Sequence, residues 1–237
     1  MIETSGQESI ENNIAPRITT QYIWNEVLKT LSWEKGFFFT AKELLLKPGA
    51  TIRAYLQGER KKYSNPLRFL VFVTAAVTLL TINLDLFGQL YRDTGTLSAE
   101  GTAQQTQNAV KNFIYQYFNI ITFLSIPLLA VLSYLFFRRR GYNYAEHLVV
   151  NTFLMTEGML IYLLIVPGLY YYPAIFNLVY QLAWLAYFVW GFTSFLQERS
   201  WKGVIKIILF CLLSSFVMML LGVIISVFYS LFQNPTI

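Results

Sequence analysis

YFNIITFLSIPLLAVLSYLFFRRRGYNYAEHLVVNTFLMTEGMLIYLLIVPGL, residues 117–169, is the stretch that decides the fold. Two apolar runs, Tyr117 to Phe137 and Glu146 to Leu169, flank three consecutive arginines and a short polar turn. Each run meets the length of about twenty residues at which a helix, rising 1.5 Å per residue, crosses roughly 30 Å of hydrocarbon. Neither shows the Lys/Glu stripe that the outer helix of a soluble bundle turns toward water. Basic loops are retained on the cytoplasmic side of a membrane, so Arg138, Arg139 and Arg140 place this turn there. The stretch reads as a transmembrane helical hairpin.

Working outward, three more runs have the same character: Leu67 to Phe87 before the hairpin, then Ala174 to Leu196 and Val204 to Phe232 after it. The last is long enough to tilt or protrude. Five spans make the connecting segments alternate sides, and lysine and arginine follow that alternation. Arg17, Lys29, Lys35, Lys42, Lys47, Arg53, Arg60, Lys61, Lys62 and Arg68 precede the first span, and Arg199, Lys202 and Lys206 lie around the fourth loop. The first loop carries only Arg92 and Lys111, while the third loop, around Tyr170–Tyr172, and the end of the chain carry none. A count of four or six spans breaks the agreement. The expectation is an all-α polytopic membrane protein with five transmembrane helices, the N-terminus cytoplasmic and the C-terminus on the opposite side of the membrane.

Composition supports the lipid environment. Charged residues make up 13% of the 237, against roughly 25% in a soluble domain, too few to cover a water-soluble sphere of this size. Aromatic residues reach 17%, as suits a protein whose amphipathic rings sit at headgroup depth. The net charge of +5 is concentrated beside apolar runs, which makes anionic lipid headgroups the expected partner and argues against nucleic acid. Cys211 is the single cysteine, so neither a disulfide framework nor a cysteine zinc site is available. The polar, acidic start with Glu3, Glu8 and Glu11 has no signal-peptide core.

The N-terminal third is organised as a disordered tail over 1–17 and basic amphipathic helices over 18–66. Ile23, Val27 and Leu31, with Trp24 and Leu28, have helical spacing over Ile18 to Leu31. A second helix runs from about Glu34 to Leu46, ended by Lys47-Pro48-Gly49, and a third from Pro48 or Ala50 to about Arg60. Phe37, Phe38, Phe39, Leu44 and Leu45 give them apolar faces. Such helices can lie in the inner interface plane or pack as a collar on the cytoplasmic ends of the spans, and the sequence leaves both open. Tyr91 to Asn112, rich in Thr, Gln, Gly and Ala, reads as a solvated external loop, and 233–237 as a short C-terminal tail.

Two motifs carry a resemblance. Leu46-Lys47-Pro48-Gly49, Ile52-Arg53-Ala54-Tyr55-Leu56-Gln57-Gly58-Glu59-Arg60 with Tyr63 and Pro66, and Arg138 through Leu148, together resemble an uncharacterised bacterial integral-membrane family, labelled domain of unknown function 3667. The resemblance implies membrane location and carries no established activity. Many members begin with a cysteine-rich zinc ribbon whose cysteines are absent here, so no metal is implied. The second half, with Pro167, Trp184 to Phe195, Arg199 and Trp201-Lys202, is similar in pattern to the five-span Yip family, which implies a trafficking or scaffold type of role.

Two groups of polar residues are candidates for a task. Glu157 lies eleven residues beyond Glu146, about 16 Å deeper at 1.5 Å per residue, and almost three whole turns place both on one face. Asn143, His147 and Asn151 occupy the adjoining arc. This intramembrane polar face (Glu146, His147, Asn151, Glu157) can line a wet path or donate neutral hydrogen bonds between spans. The other group, Arg53, Arg60, Lys61, Lys62 and Arg68, can grip lipid phosphate or serve only to hold the N-terminus inside. No nucleophile–base pair, phosphate loop, metal-ligand set or cofactor signature is present in the sequence. The expected function is non-enzymatic binding of lipid or a protein partner, with a homo-oligomer possible. The alternative is a small oligomeric transporter or channel using the face around Glu157.

Overall fold

The computed structural model describes residues 36–85 and 102–233, with side chains described outside 102–116, 118, 223 and 225–233. Gly36–Ile237 forms one compact unit. The expected tail at 1–17 and the amphipathic helix at Ile18 to Leu31 lie outside the described residues. Every described element is a helix: α1 (Phe37–Leu46), α2 (Pro48–Leu56), α3 (Pro66–Asn83), α4 (Thr102–Phe137), a 3₁₀ turn (Arg138–Arg140), α5 (Tyr144–Tyr171), α6 (Pro173–Phe195) and α7 (Trp201–Gln233). Five of them, α3 to α7, are long and apolar enough to cross a membrane.

Local chemistry sets the boundaries. Proline opens α2, α3 and α6, where its missing N–H costs nothing because the first turn has no intrahelical acceptor. At α3 the Asn65 side chain accepts from the amides of Leu67 (3.0 Å) and Arg68 (3.4 Å). At α5, Asn143 and Glu146 form a capping box: the Glu146 amide donates to Asn143 Oδ1 (2.9 Å), and the Asn143 amide donates to Glu146 Oε2 (2.7 Å). The turn before it depends on Gly141, whose φ of 83° lies in the left-handed region.

Several expected boundaries shift. The first span ends at Asn83 rather than Phe87: the Asn83 amide group donates back to the Leu79 carbonyl (2.6 Å), and Asp85 turns the chain with a φ of 44°. The second span belongs to a helix that begins at Thr102, so residues 102–112, expected in the external loop, are helical. Extending a helix that a span has already nucleated costs little, and the Ala, Gln and Lys content there suits it. The third helix of the N-terminal region stops at Leu56 instead of Arg60, because Gly58 (φ 112°) reverses the chain.

The core is aromatic. Phe192, fully buried, packs on Phe188 (5.1 Å between ring centroids), Phe210 (5.2 Å) and Phe137 (6.0 Å), tying α6 to α4 and α7. Phe153 on α5 meets Tyr55 of α2 (5.2 Å) and Phe69 of α3 (6.3 Å). Leu79, Leu164 and Met219 point outward instead. In lipid such a division gains nothing from hydrophobicity, since both environments are apolar; close packing of rings against rings is what selects the interior. α5 is the most enclosed span, and α6 and α7 the most outward-facing.

The α1–α2 hairpin packs on one end of this bundle. Its Leu44 and Ile52 are fully buried, while Phe38 and Leu46 remain exposed. Gly49 lets α2 approach the end of α6: a Cβ there would collide with the backbone of Ser194 and Phe195. Arg53 Nη1 donates to the carbonyls of Ser194 and, at 3.0 Å, Phe195, adding a charged donor at the last carbonyls of α6. α1 and α2 thus form a collar packed on one end of the bundle.

Candidate functional site

The described basic side chains gather at the bundle end that carries the hairpin, the Arg138–Arg140 turn and the loop between α6 and α7. Arg140 pairs with Glu198, whose side chain is only 7% exposed and which also accepts from the Ser200 amide (2.9 Å). That pair joins two loops that hydropathy alone assigns to the same side.

The five cations expected to meet phosphate divide in role. Arg53 is half-buried and committed to capping α6. Arg60 lies over the Tyr55 ring, with its guanidinium carbon 5.8 Å from the centroid. Burial pushes the Tyr55 hydroxyl above its ordinary pKa, against the opposing pull of Arg60. Lys62 stands between Glu59 (3.7 Å) and the rings of Phe39 (5.5 Å) and Tyr63 (5.6 Å). Lys61 and Arg68 are exposed, Arg68 in the first turn of α3.

The polar residues of α5 are divided between neighbours. Glu146 is spent on the capping box. His147 is fully buried, edge-on to Tyr134 (6.0 Å) and Tyr142 (6.4 Å), and neither ring nitrogen has a hydrogen-bond partner among the described residues. Asn151 Nδ2 donates to Ser133 Oγ on α4 (2.8 Å) and to the His147 carbonyl (2.7 Å). Glu157, 2% exposed with Oε2 unpartnered among the described residues, lies within electrostatic reach of Tyr187 on α6. The Tyr187 hydroxyl in turn donates to the Leu44 carbonyl of α1 (3.1 Å). Asn151 thus serves the α4 contact. Among the described residues no three His, Cys, Asp or Glu side chains converge as a metal site would need.

Sequence reasoning missed Gly49, Tyr187, Ser133 and the Arg140–Glu198 pair. Gly49 was legible only as the end of a turn. It also missed a cavity of about 360 Å³ beside α3, lined mainly by apolar side chains.

These features define an all-helical, multi-pass membrane protein with a basic, aromatic-lined collar at one end. Residues 34–78, covering α1, α2 and most of α3, match the family described as protein of unknown function (DUF3667), the family that the Leu46–Pro66 motif resembles. No curated protein and no solved structure matches the chain.

Proposed function

We infer that this is a non-enzymatic bacterial inner-membrane protein that gathers anionic lipid headgroups, or a partner presenting the same charge, on its basic end. That end faces the cytoplasm in this reading. The carrying observation is the exposed set Arg60, Lys61, Lys62 and Arg68 around the buried collar, where each cation near an anionic leaflet contributes about 1 kcal/mol. Arg53 is left out of the set because its charge is used at the end of α6. The test is the enrichment of spin-labelled phosphatidylglycerol over phosphatidylcholine in the boundary lipid of the reconstituted protein. Arg60→Glu, Lys61→Glu and Lys62→Glu together are expected to abolish the enrichment with the melting temperature kept. Unchanged enrichment overturns the reading.

One observation favours a second reading, transport along α5: the enclosed carboxyl of Glu157 with an unpartnered oxygen. Ionisable groups inside a membrane are functional candidates by default because their burial is costly. Proteoliposomes in which Glu157→Gln matches the parent in proton or cation flux would dispose of it.

A further inference from the structure

α3 and α4 touch in the half of the bundle away from the collar, where Thr78 Oγ1 donates to Asn119 Oδ1 (2.8 Å). Nearer the collar they part, and the cavity of about 360 Å³ occupies the gap. Its walls are Leu67 and Leu70 of α3 and Phe123 and Pro127 of α4, and its floor is Leu148 and Thr152 of α5. Leu67, 60% exposed, stands at the lateral opening, so the gap faces the surrounding lipid.

Three observations define what fits. The first is depth. The lining residues of α4, Phe123 to Pro127, lie fourteen to ten residues from its collar end, about 21 to 15 Å at 1.5 Å per residue, so the cavity reaches the middle of a roughly 30 Å hydrocarbon layer. The second is polarity. The Thr152 hydroxyl donates to the Leu148 carbonyl (2.7 Å), and the Asn65 side chain at the rim caps the amides of Leu67 and Arg68, so these groups are already served. Pro127 has no N–H to give the Phe123 carbonyl, so that carbonyl lacks its helical donor, a polar group that carries no charge. The third is the rim. Tyr55 closes the collar side of the cavity, and Arg60 lies on that ring, a cation at headgroup level above an apolar slot.

We propose that this groove holds one acyl chain of an anionic glycerophospholipid from the leaflet at the collar, with the lipid phosphate against Arg60. This rests on the lipid-binding reading above and locates it, turning a diffuse surface preference into one site. A neutral lipid would fill the slot equally well but leave Arg60 unused. The volume is at the small end of ligand sites, as a single chain requires.

The experiment is native mass spectrometry of the full chain released from nanodiscs of equimolar phosphatidylglycerol and phosphatidylcholine. One phosphatidylglycerol is expected to remain bound per chain. Thr152→Phe, which fills the floor, is expected to remove it. Leu67→Trp closes the lateral opening at an exposed position and serves where Thr152→Phe fails to fold. Arg60→Gln should lower retention about fivefold, the equivalent of one interfacial charge, whereas Lys202→Gln, in the first turn of α7 and outside the cavity lining, should not. Boundary-lipid enrichment measured on the same variants separates the two readings. Retention unchanged by both groove-filling variants, with enrichment intact, overturns the groove and leaves the surface reading standing. Loss of neither retention nor enrichment in any charge variant overturns both, and equal retention of phosphatidylcholine overturns the anionic preference.

Discussion

Adding one methyl group at Gly49 should undock the collar. The Cβ of Gly49→Ala would meet the main chain of Ser194 and Phe195, and neither can move aside without shifting α2 or the end of α6 as a whole. Overpacking of this kind costs about 1–3 kcal/mol. A shift of α2 also lengthens the two hydrogen bonds from Arg53 to those same carbonyls, and bonds to a charged group contribute about 1.5–3 kcal/mol, discounted here because Arg53 is only half-buried. The combined loss is about 2–4 kcal/mol. Cys211, 1% exposed and the single cysteine, provides the reporter: a thiol-reactive dye added to the solubilised protein fluoresces as α7 opens. Even the lower figure corresponds to a fall of about 4–8 °C in melting temperature for a chain of this size. Hydrogen exchange should show residues 40–56 losing protection first. Gly222→Ala is the control, since among the described residues nothing lies within 4 Å of a Cβ there, and it should be neutral or slightly stabilising in a helix. A Gly49→Ala protein that melts with the parent and keeps its hairpin protected would refute the close-approach argument.

Four further outcomes are expected. Arg140→Ala and Glu198→Ala, combined in a double-mutant cycle on the same melting assay, should show coupling of about 1–2 kcal/mol, limited by the half-exposed arginine. Phe192→Ala, which empties the space between Phe137, Phe188 and Phe210, should cost about 3–5 kcal/mol, and a shift below about 1 kcal/mol would show that those rings do not form the core. Glu157→Leu removes an unpartnered buried oxygen and should leave the melting temperature unchanged or higher; a drop equivalent to more than about 2 kcal/mol would reveal a bonding partner for that carboxyl. Reporter fusions should place the two ends of the chain on opposite sides of the membrane, and a shared compartment would break the five-span alternation.

The five spans were legible because hydropathy is a property of each residue, summed over a window that needs no knowledge of neighbours. The Lys47-Pro48-Gly49 break was legible for the same reason, being set within a few residues of chain. The extension of α4 back to Thr102 was not, because a polar segment reads as loop unless one knows that a helix is already running into it. The polar side chains of α5 were found, and the shared face of Glu146 and Glu157 follows from helical geometry. The partner of Asn151 was invisible: Ser133 is an ordinary residue until the fold sets it beside Asn151.

Transfer between water and hydrocarbon is decided residue by residue, so the order of the chain alone determined the number of apolar helices, the segregation of charge and the expected direction of threading. Which faces meet depends on shapes brought together across long stretches of chain, as with Arg53 and Ser194, 141 residues apart. The docking of the collar, the pairing of Asn151 with Ser133 and the groove between α3 and α4 were therefore settled only by packing in three dimensions.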